Sequence, residues 1–169
     1  MKTLGAVLAG GQSRRFGSDK AVAMLDGQTL LDHALAALRP HCDAVVVVGR
    51  GKIADWPRAD MGPLGGIAAA LIHAVDQGFN QVLTVSVDCV RLPPDVRELL
   101  EPAPAFLATQ PVIGLWPVSA LDDLKAVLTD GDDLAVRAFA RRIGARAVAS
   151  DFVPPNINGI ADLQQLRSL

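Results

Sequence analysis

The chain has 169 residues, of which 50% are hydrophobic and 20% are charged, a size and composition that fit one folded domain over 1–169 and exclude intrinsic disorder. Lys+Arg 16 against Asp+Glu 18 leaves a net charge of −2, and aromatic residues are only 4%, so neither charge nor base-stacking rings support nucleic-acid or membrane-surface binding. Two cysteines exclude a disulfide framework, and no apolar run reaches the roughly 18–20 residues that span a bilayer. With no signal peptide visible before the first strand, we expect a soluble, cytoplasmic protein that binds no membrane and no nucleic acid.

The first hundred residues predict strands and helices in alternation. Three apolar runs are typical of strands buried on both faces of a parallel sheet: 3–9, 44–48 and 82–87. Helices are predicted at 29–38, at 65–75 and, with Pro93 and Pro94 in the first turn, up to Leu100. This alternation is the pattern of βαβ units, so we expect an α/β fold, a three-layer sandwich with a mostly parallel sheet and helices on both faces.

The last third of the chain is less regular. Its patterns predict a strand at 111–115, helices at 118–128 and 132–142, a short strand at 145–148 and a terminal helix at 160–166. We interpret the Pro/Ala stretch 101–105 as a connector. No repeat or second domain is indicated.

The loop at 10–19, after the first strand, is rich in glycine and cations. Gly10 and Gly11 permit positive φ and let main-chain N–H groups approach an anion, while Arg14, Arg15 and Lys20 supply positive charge. Ligands of open parallel sheets bind beyond the carboxyl ends of the strands, where this loop begins. The loop therefore predicts a phosphate-binding cradle, although it matches neither the P-loop nor the GxGxxG pattern. The alternative is a solvated surface turn.

Carboxylates follow the same predicted sheet edge. Asp88 ends the third strand, where it is suited to hold Mg²⁺ beside a polyphosphate and equally to serve as a turn or capping residue. Asp55 and Asp60 precede the glycine-rich stretch 62–66. Either could accept hydrogen bonds from a base or a ribose, or simply solvate the loop.

Other candidates are weaker. Asn156 and Asn158, spaced by two, could both face a ligand or could form a turn before the last helix. We interpret Trp116 as a packing residue and Cys89 as a small buried one. Ser86 lacks the GxSxG context of a hydrolase nucleophile.

The motifs taken in order resemble those of the molybdenum cofactor guanylyltransferases, the molybdopterin-guanine dinucleotide biosynthesis protein A family of nucleotidyltransferases. The residues that carry the resemblance are Leu8-Ala-Gly-Gly11, Arg14-Arg-Phe-Gly17, Asp19-Lys20, Gly62-Pro-Leu-Gly-Gly-Ile67, Asp88, Gln110-Pro-Val-Ile-Gly-Leu-Trp116, Asn156-Ile-Asn158 and Asp162-Leu163. The first of these marks the nucleotidyltransferase superfamily, and the later ones together narrow it to the molybdopterin branch.

The resemblance implies a Rossmann-like fold of the nucleotidyltransferase type. It also implies a Mg²⁺-dependent transfer of GMP from GTP to the terminal phosphate of molybdopterin, with release of pyrophosphate. It implies three catalytic residues, Lys20, Arg15 and Asp88, of which Asp88 also binds the metal. For GTP, the resemblance implies that the main chain of Leu8, Ala9 and Gly10 binds the guanine and ribose side and that Gly11, Arg15 and Lys20 lie near the triphosphate. Asp55, with Asp60 second, and Asp88 are also implied to bind GTP. Asn156 and Asn158 are implied to bind molybdopterin.

The same resemblance divides the chain into a GTP-binding half, about 1–100, and a molybdopterin-binding half, about 101–169. It also implies transient contact with proteins that deliver the cofactor or with molybdoenzymes that accept it.

Two alternatives stay open, and the chain departs from the family pattern around Asp88, after Asn158 and in the short segment 101–110. The first is a molybdopterin cytidylyltransferase or another small nucleotidyltransferase. The cytidylyl branch usually reads Leu-Ala-Ala-Gly, whereas Leu8-Ala-Gly-Gly11 leaves more room for a purine. The second is a catalytically inactive GTP-binding regulatory module.

Overall fold

A six-stranded sheet forms the centre of the molecule in the computed structural model, which describes residues 1–11, 20–153, 155, 157 and 160–167. The strands are β1 Thr3–Leu8, β2 Met24–Leu25, β3 Gln28–Thr29, β4 Ala44–Val48, β5 Gln81–Ser86, β6 Ala105–Leu107, β7 Gln110–Pro117 and β8 Arg146–Val148. The sheet order is β4-β1-β5-β7-β6-β8, and β2 pairs with β3 in a separate ribbon. Within the sheet, β7 runs antiparallel to β5 and β6, whereas the other neighbours are parallel.

Helices cover both faces of this sheet. They are α1 Leu30–Leu38, α2 Pro63–Asp76, α3 Val96–Leu100, α4 Leu121–Asp130, α5 Val136–Arg142 and α6 Ile160–Arg167. Side chains of α2, α4 and α5 share one buried apolar cluster, and those of α1 and α3 share another with the opposite face. The predicted three-layer α/β architecture is therefore confirmed. In the part of the chain that the structure describes, no helix combines the length and apolar composition needed to cross a membrane.

Close packing of helices on β1 depends on residues without large side chains. A Cβ added at Gly66 in α2 would lie 3.1 Å from Leu8 Cδ2, and one added at Gly5 would lie 2.9 Å from Leu38 Cδ2 in α1. β1 is the second strand of the sheet and contacts both helices, so Gly5 lets α1 approach it closely and Gly66 lets α2 do the same.

Three short strands, β2, β3 and β6, were not predicted. The β2–β3 ribbon turns at Asp26 (φ 50°) and Gly27 (φ 79°), the positive-φ pair that a type I′ turn requires. The prediction that 101–105 is only a connector is wrong at its last residue, because β6 begins at Ala105 and pairs with β7 across a two-residue turn at 108–109. Strands of two or three residues are too short to give a periodic pattern in the sequence.

Three helices begin later than predicted: α4, which a 3-10 turn at Val118–Ala120 precedes, and also α3 and α5. Before α3, Val96 N–H donates to the Pro93 carbonyl at 3.1 Å, so the prolines form a turn and not the first helical turn. Before α5, Asp133 Oδ1 accepts from Ala135 N–H at 2.9 Å, and Ala135 is extended with ψ 140°. In both places a local turn takes the backbone donors that the helix would have used.

Candidate functional site

The carboxyl ends of β1, β4 and β5 meet at one edge of the sheet. Leu8 pairs with Val48 on one side and with Ser86 on the other, so these three strands end in register. A cavity of about 230 Å³ opens there. Its lining includes Leu8, Gly10, Gly11, Val48, Asp55, Asp60, Gly62, Pro63, Gly66, Ser86 and Val112. Gly10 and Gly11 of the predicted cradle therefore share one cleft with Asp55 and Asp60.

Lys20 and Asp88 meet at this edge. Lys20 Nζ lies 3.5 Å from Asp88 Oδ2, and the two side chains are only 18% and 13% exposed. The other carboxylate oxygen, Asp88 Oδ1, accepts a hydrogen bond from the Ser86 hydroxyl. Both oxygens of Asp88 therefore have a partner: the cationic Lys20 ammonium at Oδ2 and the neutral Ser86 hydroxyl at Oδ1.

Ala9 and Gly10, at the start of the glycine-rich loop 10–19, are held by the turn that follows β4. Ala9 N–H donates to the Val48 carbonyl at 2.9 Å, so a main-chain contact between Ala9 and a ligand would use the Ala9 carbonyl oxygen. Gly49 has φ +93°, and a Cβ there would lie 2.6 Å from Gly10 N. Only glycine permits both this backbone conformation and this close approach. Gly11, at φ +101°, has open space where its Cβ would be.

Asp55 and Asp60 both line the cavity, and Asp55 lies against the glycine loop. The Asp55 carboxylate oxygens are 3.5 and 3.6 Å from the place of a Cβ on Gly10. Burial, and secondly the nearby Asp60 carboxylate, raise the pKa of Asp55. The ionised Asp55 carboxylate is thus incompletely solvated, and hydrogen-bond donors of a ligand would stabilise it.

The donor set at Asp88 fits a magnesium ion that is shared with a nucleotide. Among residues 1–11, 20–153 and the described part of the C-terminal segment, no cluster of three or more metal-ligating side chains occurs. Mg²⁺ at polyphosphate sites is commonly held by one or two carboxylates, with phosphates and water supplying the remaining ligands. Asp88, whose carboxylate is oriented by Ser86 beside the cavity, provides such a carboxylate.

Several predicted site residues lie outside the described residues: Arg14 and Arg15 of the loop, and Asn156 and Asn158. Ile157, between the two asparagines, is described and fully buried. It packs in a cluster with Leu25, Leu30, Val90 and Leu163. This cluster joins α6 and the β2–β3 ribbon to the chain just after Asp88.

Trp116 packs in the core, which confirms its interpretation as a packing residue. It is fully buried, 6.4 Å from Phe106 and 5.5 Å from Phe139 between ring centroids. Its indole Nε1–H donates to Thr84 Oγ1 at 2.9 Å, and the Thr84 hydroxyl donates to the Val112 carbonyl at 2.7 Å. Since Val112 lines the cavity, this buried chain of hydrogen bonds fixes one of its walls.

Neither cysteine is suited to nucleophilic chemistry. Burial raises the pKa of the Cys42 thiol to about 12, and burial together with the Asp88 charge does the same for Cys89. Each therefore stays protonated at neutral pH and behaves as a small apolar residue.

Sequence reasoning missed the role of Ser86 in the site. The sequence context excludes Ser86 only as a hydrolase nucleophile, whereas in the structure its hydroxyl donates to Asp88, two residues later. The available signal was its place, since Ser86 is the last residue of β5 at the ligand edge and lies two residues before Asp88.

Comparison with known families gives a match over most of the chain. The family model described as "MobA-like NTP transferase domain" matches residues 5–147. A molybdenum cofactor guanylyltransferase of Acidiphilium cryptum is 38% identical, with coverage of 93% of this chain and 90% of that protein. A protein of the same name from Rhizobium leguminosarum bv. trifolii is 39% identical, with coverage of 82% and 74%.

Solved structures show the same fold at lower identity. Molybdopterin-guanine dinucleotide biosynthesis protein A from Archaeoglobus fulgidus superposes with a TM-score of 0.77 at 23% identity and covers 98% of this chain and 97% of its own. A nucleotidyl transferase from Methanothermobacter thermautotrophicus gives a TM-score of 0.72 at 17% identity, with coverage of 99% and 96%.

Proposed function

The chain belongs to the molybdenum cofactor guanylyltransferase family, within the MobA-like NTP transferases, and on that premise we propose how its residues divide the work. The enzyme transfers GMP from GTP in the biosynthesis of the guanine dinucleotide form of the molybdenum cofactor. GTP and molybdopterin are its substrates. The observation that carries the proposal is the meeting of Lys20 and Asp88, 3.5 Å apart, beside the cavity that the glycine loop helps to line.

GTP lies along the edge formed by β1, β4 and β5. The guanine and ribose side lies against the main chain of Leu8, Ala9 and Gly10. The triphosphate lies near Gly11, and Lys20 and Arg15 supply positive charge to it. Guanine has two neighbouring N–H donors, which match a carboxylate acceptor. Asp55, whose pKa is raised by burial and by Asp60, is the preferred acceptor, and Asp60 is the second.

The reaction forms one bond and breaks one. An anionic oxygen of the terminal phosphate of molybdopterin attacks the α-phosphorus of GTP, and the bond from that phosphorus to the bridging oxygen of pyrophosphate breaks. The attacking oxygen already carries charge, so no side chain is needed as a general base. Lys20 and Arg15 stabilise the negative charge that grows on the leaving pyrophosphate.

Asp88 would hold Mg²⁺ together with the phosphates of the nucleotide. When bound, this ion supplies neutralisation of phosphate charge and orientation of the triphosphate. Asp88 carries the carboxylate, Ser86 orients its Oδ1, and Lys20 stands beside its Oδ2.

Molybdopterin binds on the side of the cleft contributed by the C-terminal half. The proposal assigns residues of about 1–100 to GTP and of about 101–169 to molybdopterin, with Asn156 and Asn158 as polar contacts to the acceptor. The sheet order supports this division, since β4, β1 and β5 stand together on one side and β7, β6 and β8 on the other. The proposal further places the reaction in the cytoplasm, where GTP is supplied, with transient contact to proteins that deliver the substrate or take the product.

The test measures pyrophosphate release from purified enzyme with molybdopterin and either GTP or CTP, in the presence and absence of Mg²⁺. We expect release with GTP and Mg²⁺, much less with CTP, and loss of release in Asp88→Asn. Preference for CTP would instead indicate the cytidylyl reaction. Tight GTP binding without any turnover would contradict catalysis and indicate a regulatory module. Mg²⁺-dependent turnover that survives in Asp88→Asn would contradict the metal role of Asp88.

A further inference from the structure

The last residue of β5 is a serine on a strand that is otherwise deeply buried. Val82, Leu83 and Val85 are inaccessible to solvent, whereas Ser86 is partly exposed and lines the cavity. Ser86 and Thr84 are two residues apart and so lie on the same face of the strand. Thr84 is committed to the Trp116–Val112 hydrogen bonds, which leaves Ser86 as the hydroxyl at the open end of this face.

The Ser86 hydroxyl makes a contact that orients Asp88. It donates to Asp88 Oδ1, while Asp88 Oδ2 lies on the side of Lys20, 3.5 Å from its ammonium nitrogen. The backbone around this pair is closed by a tight turn, in which Cys89 N–H donates to the Ser86 carbonyl at 3.0 Å. Rotation of an aspartate about its terminal torsion is soft, so a fixed donor on one oxygen decides where the other oxygen points.

We propose that Ser86 is a positioning residue for nucleotidyl transfer, acting through Asp88. Its hydroxyl holds the carboxylate in the rotamer that directs Oδ2 toward Lys20 and the nucleotide phosphates. The inference rests on the proposed role of Asp88 as the residue that holds Mg²⁺ with GTP. Removal of a group that orients a metal ligand typically costs 10–100-fold in activity or in metal affinity, and we expect a loss within that range for Ser86.

The experiment compares Ser86→Ala, which deletes the donor, with Ser86→Thr, which keeps it on a strand where a β-branched residue is favourable. Ser119→Ala is the matched control, because Ser119 is an exposed serine remote in sequence from the site. We measure kcat and KM for GTP. Calorimetric titration gives the Kd for GTP with and without Mg²⁺, and thermal unfolding gives Tm.

Ser86→Ala is expected to lower kcat about 10–100-fold and to weaken the Mg²⁺-dependent part of GTP binding. The Kd for GTP without Mg²⁺ should stay within about twofold, and Tm within about 5 °C, since one partly exposed hydrogen bond is lost. Ser86→Thr should restore kcat to within about threefold of the wild type, and Ser119→Ala should match the wild type.

Three results would overturn the inference. The first is an unchanged kcat in Ser86→Ala, and the second is an equal loss of kcat in Ser86→Ala and Ser86→Thr. The third is a rise in KM for GTP with kcat unchanged, which would make Ser86 a direct binding residue. Asp88→Asn measured in parallel separates this inference from the function it rests on. An inactive Asp88→Asn beside a fully active Ser86→Ala refutes only the positioning role. A fully active Asp88→Asn refutes the proposed role of Asp88 itself.

Discussion

Replacing Lys20 by methionine separates the catalytic role of its charge from its structural role. Methionine keeps much of the length and apolar contact of the side chain but removes the ammonium group that lies 3.5 Å from Asp88 Oδ2. At that separation the attraction between the two charges is about 5 kcal/mol for an effective dielectric constant of about 20, and the desolvation of both groups offsets most of it. Asp88 also keeps its hydrogen bond from Ser86. The net loss of stability should therefore be about 1–2 kcal/mol, or roughly 2–8 °C in Tm.

The effect on catalysis should be larger. A preorganised cationic donor at a phosphate that gains charge is typically worth about 10²–10³ in kcat, equivalent to about 2.7–4 kcal/mol of barrier. We expect Lys20→Met to lower the rate of pyrophosphate release at saturating GTP and molybdopterin by that factor, with a folded protein at the assay temperature. Lys2→Met is the control, because Lys2 is exposed and precedes β1 at the opposite edge of the sheet. A Lys20→Met enzyme with a rate within about threefold of the wild type would refute the assignment of Lys20 to the reacting phosphates.

Three further substitutions test the cleft. Asp55→Asn should weaken GTP binding at pH 7. It should also raise the free energy of unfolding slightly, because burial and the Asp60 charge raise the pKa of Asp55, so that its ionised form opposes folding, while solvent screening keeps the effect small. In denaturant titrations this gain should shrink as the pH falls and vanish below the unfolded value of about 3.9; a gain that grows toward acid pH would contradict the assigned direction. Thr84→Val should lower the free energy of unfolding in denaturant titrations by about 2 kcal/mol, because it leaves the buried polar partners of the hydroxyl unsatisfied. Thr84→Ser keeps the hydroxyl and should lower it clearly less. Equal losses in the two variants would show that the hydroxyl is not responsible. Gly49→Ala should raise KM for GTP at least about tenfold, since its Cβ would meet Gly10 N at 2.6 Å, and an unchanged KM would show that Gly10 need not keep this position.

The elements that sequence could predict are those whose signal is local. The apolar runs of β1, β4 and β5 are each long enough to identify a buried strand, and Thr29 caps α1 by accepting from Asp32 N–H at 3.1 Å. The position of the glycine loop and of Asp88 at the ligand edge also followed from sequence, because parallel strands joined by helices end at the same edge.

The chain by itself therefore determined the layered α/β architecture and the chemical types gathered at one edge of the sheet. Only the tertiary structure decided which atoms meet there: Lys20 Nζ with Asp88 Oδ2, the Asp55 carboxylate beside Gly10, and the Ser86 hydroxyl on Asp88 Oδ1. Such pairings depend on the path of long loops and on the rotamers that packing permits. Neither is encoded by hydrophobic periodicity, which records only which face of an element is buried.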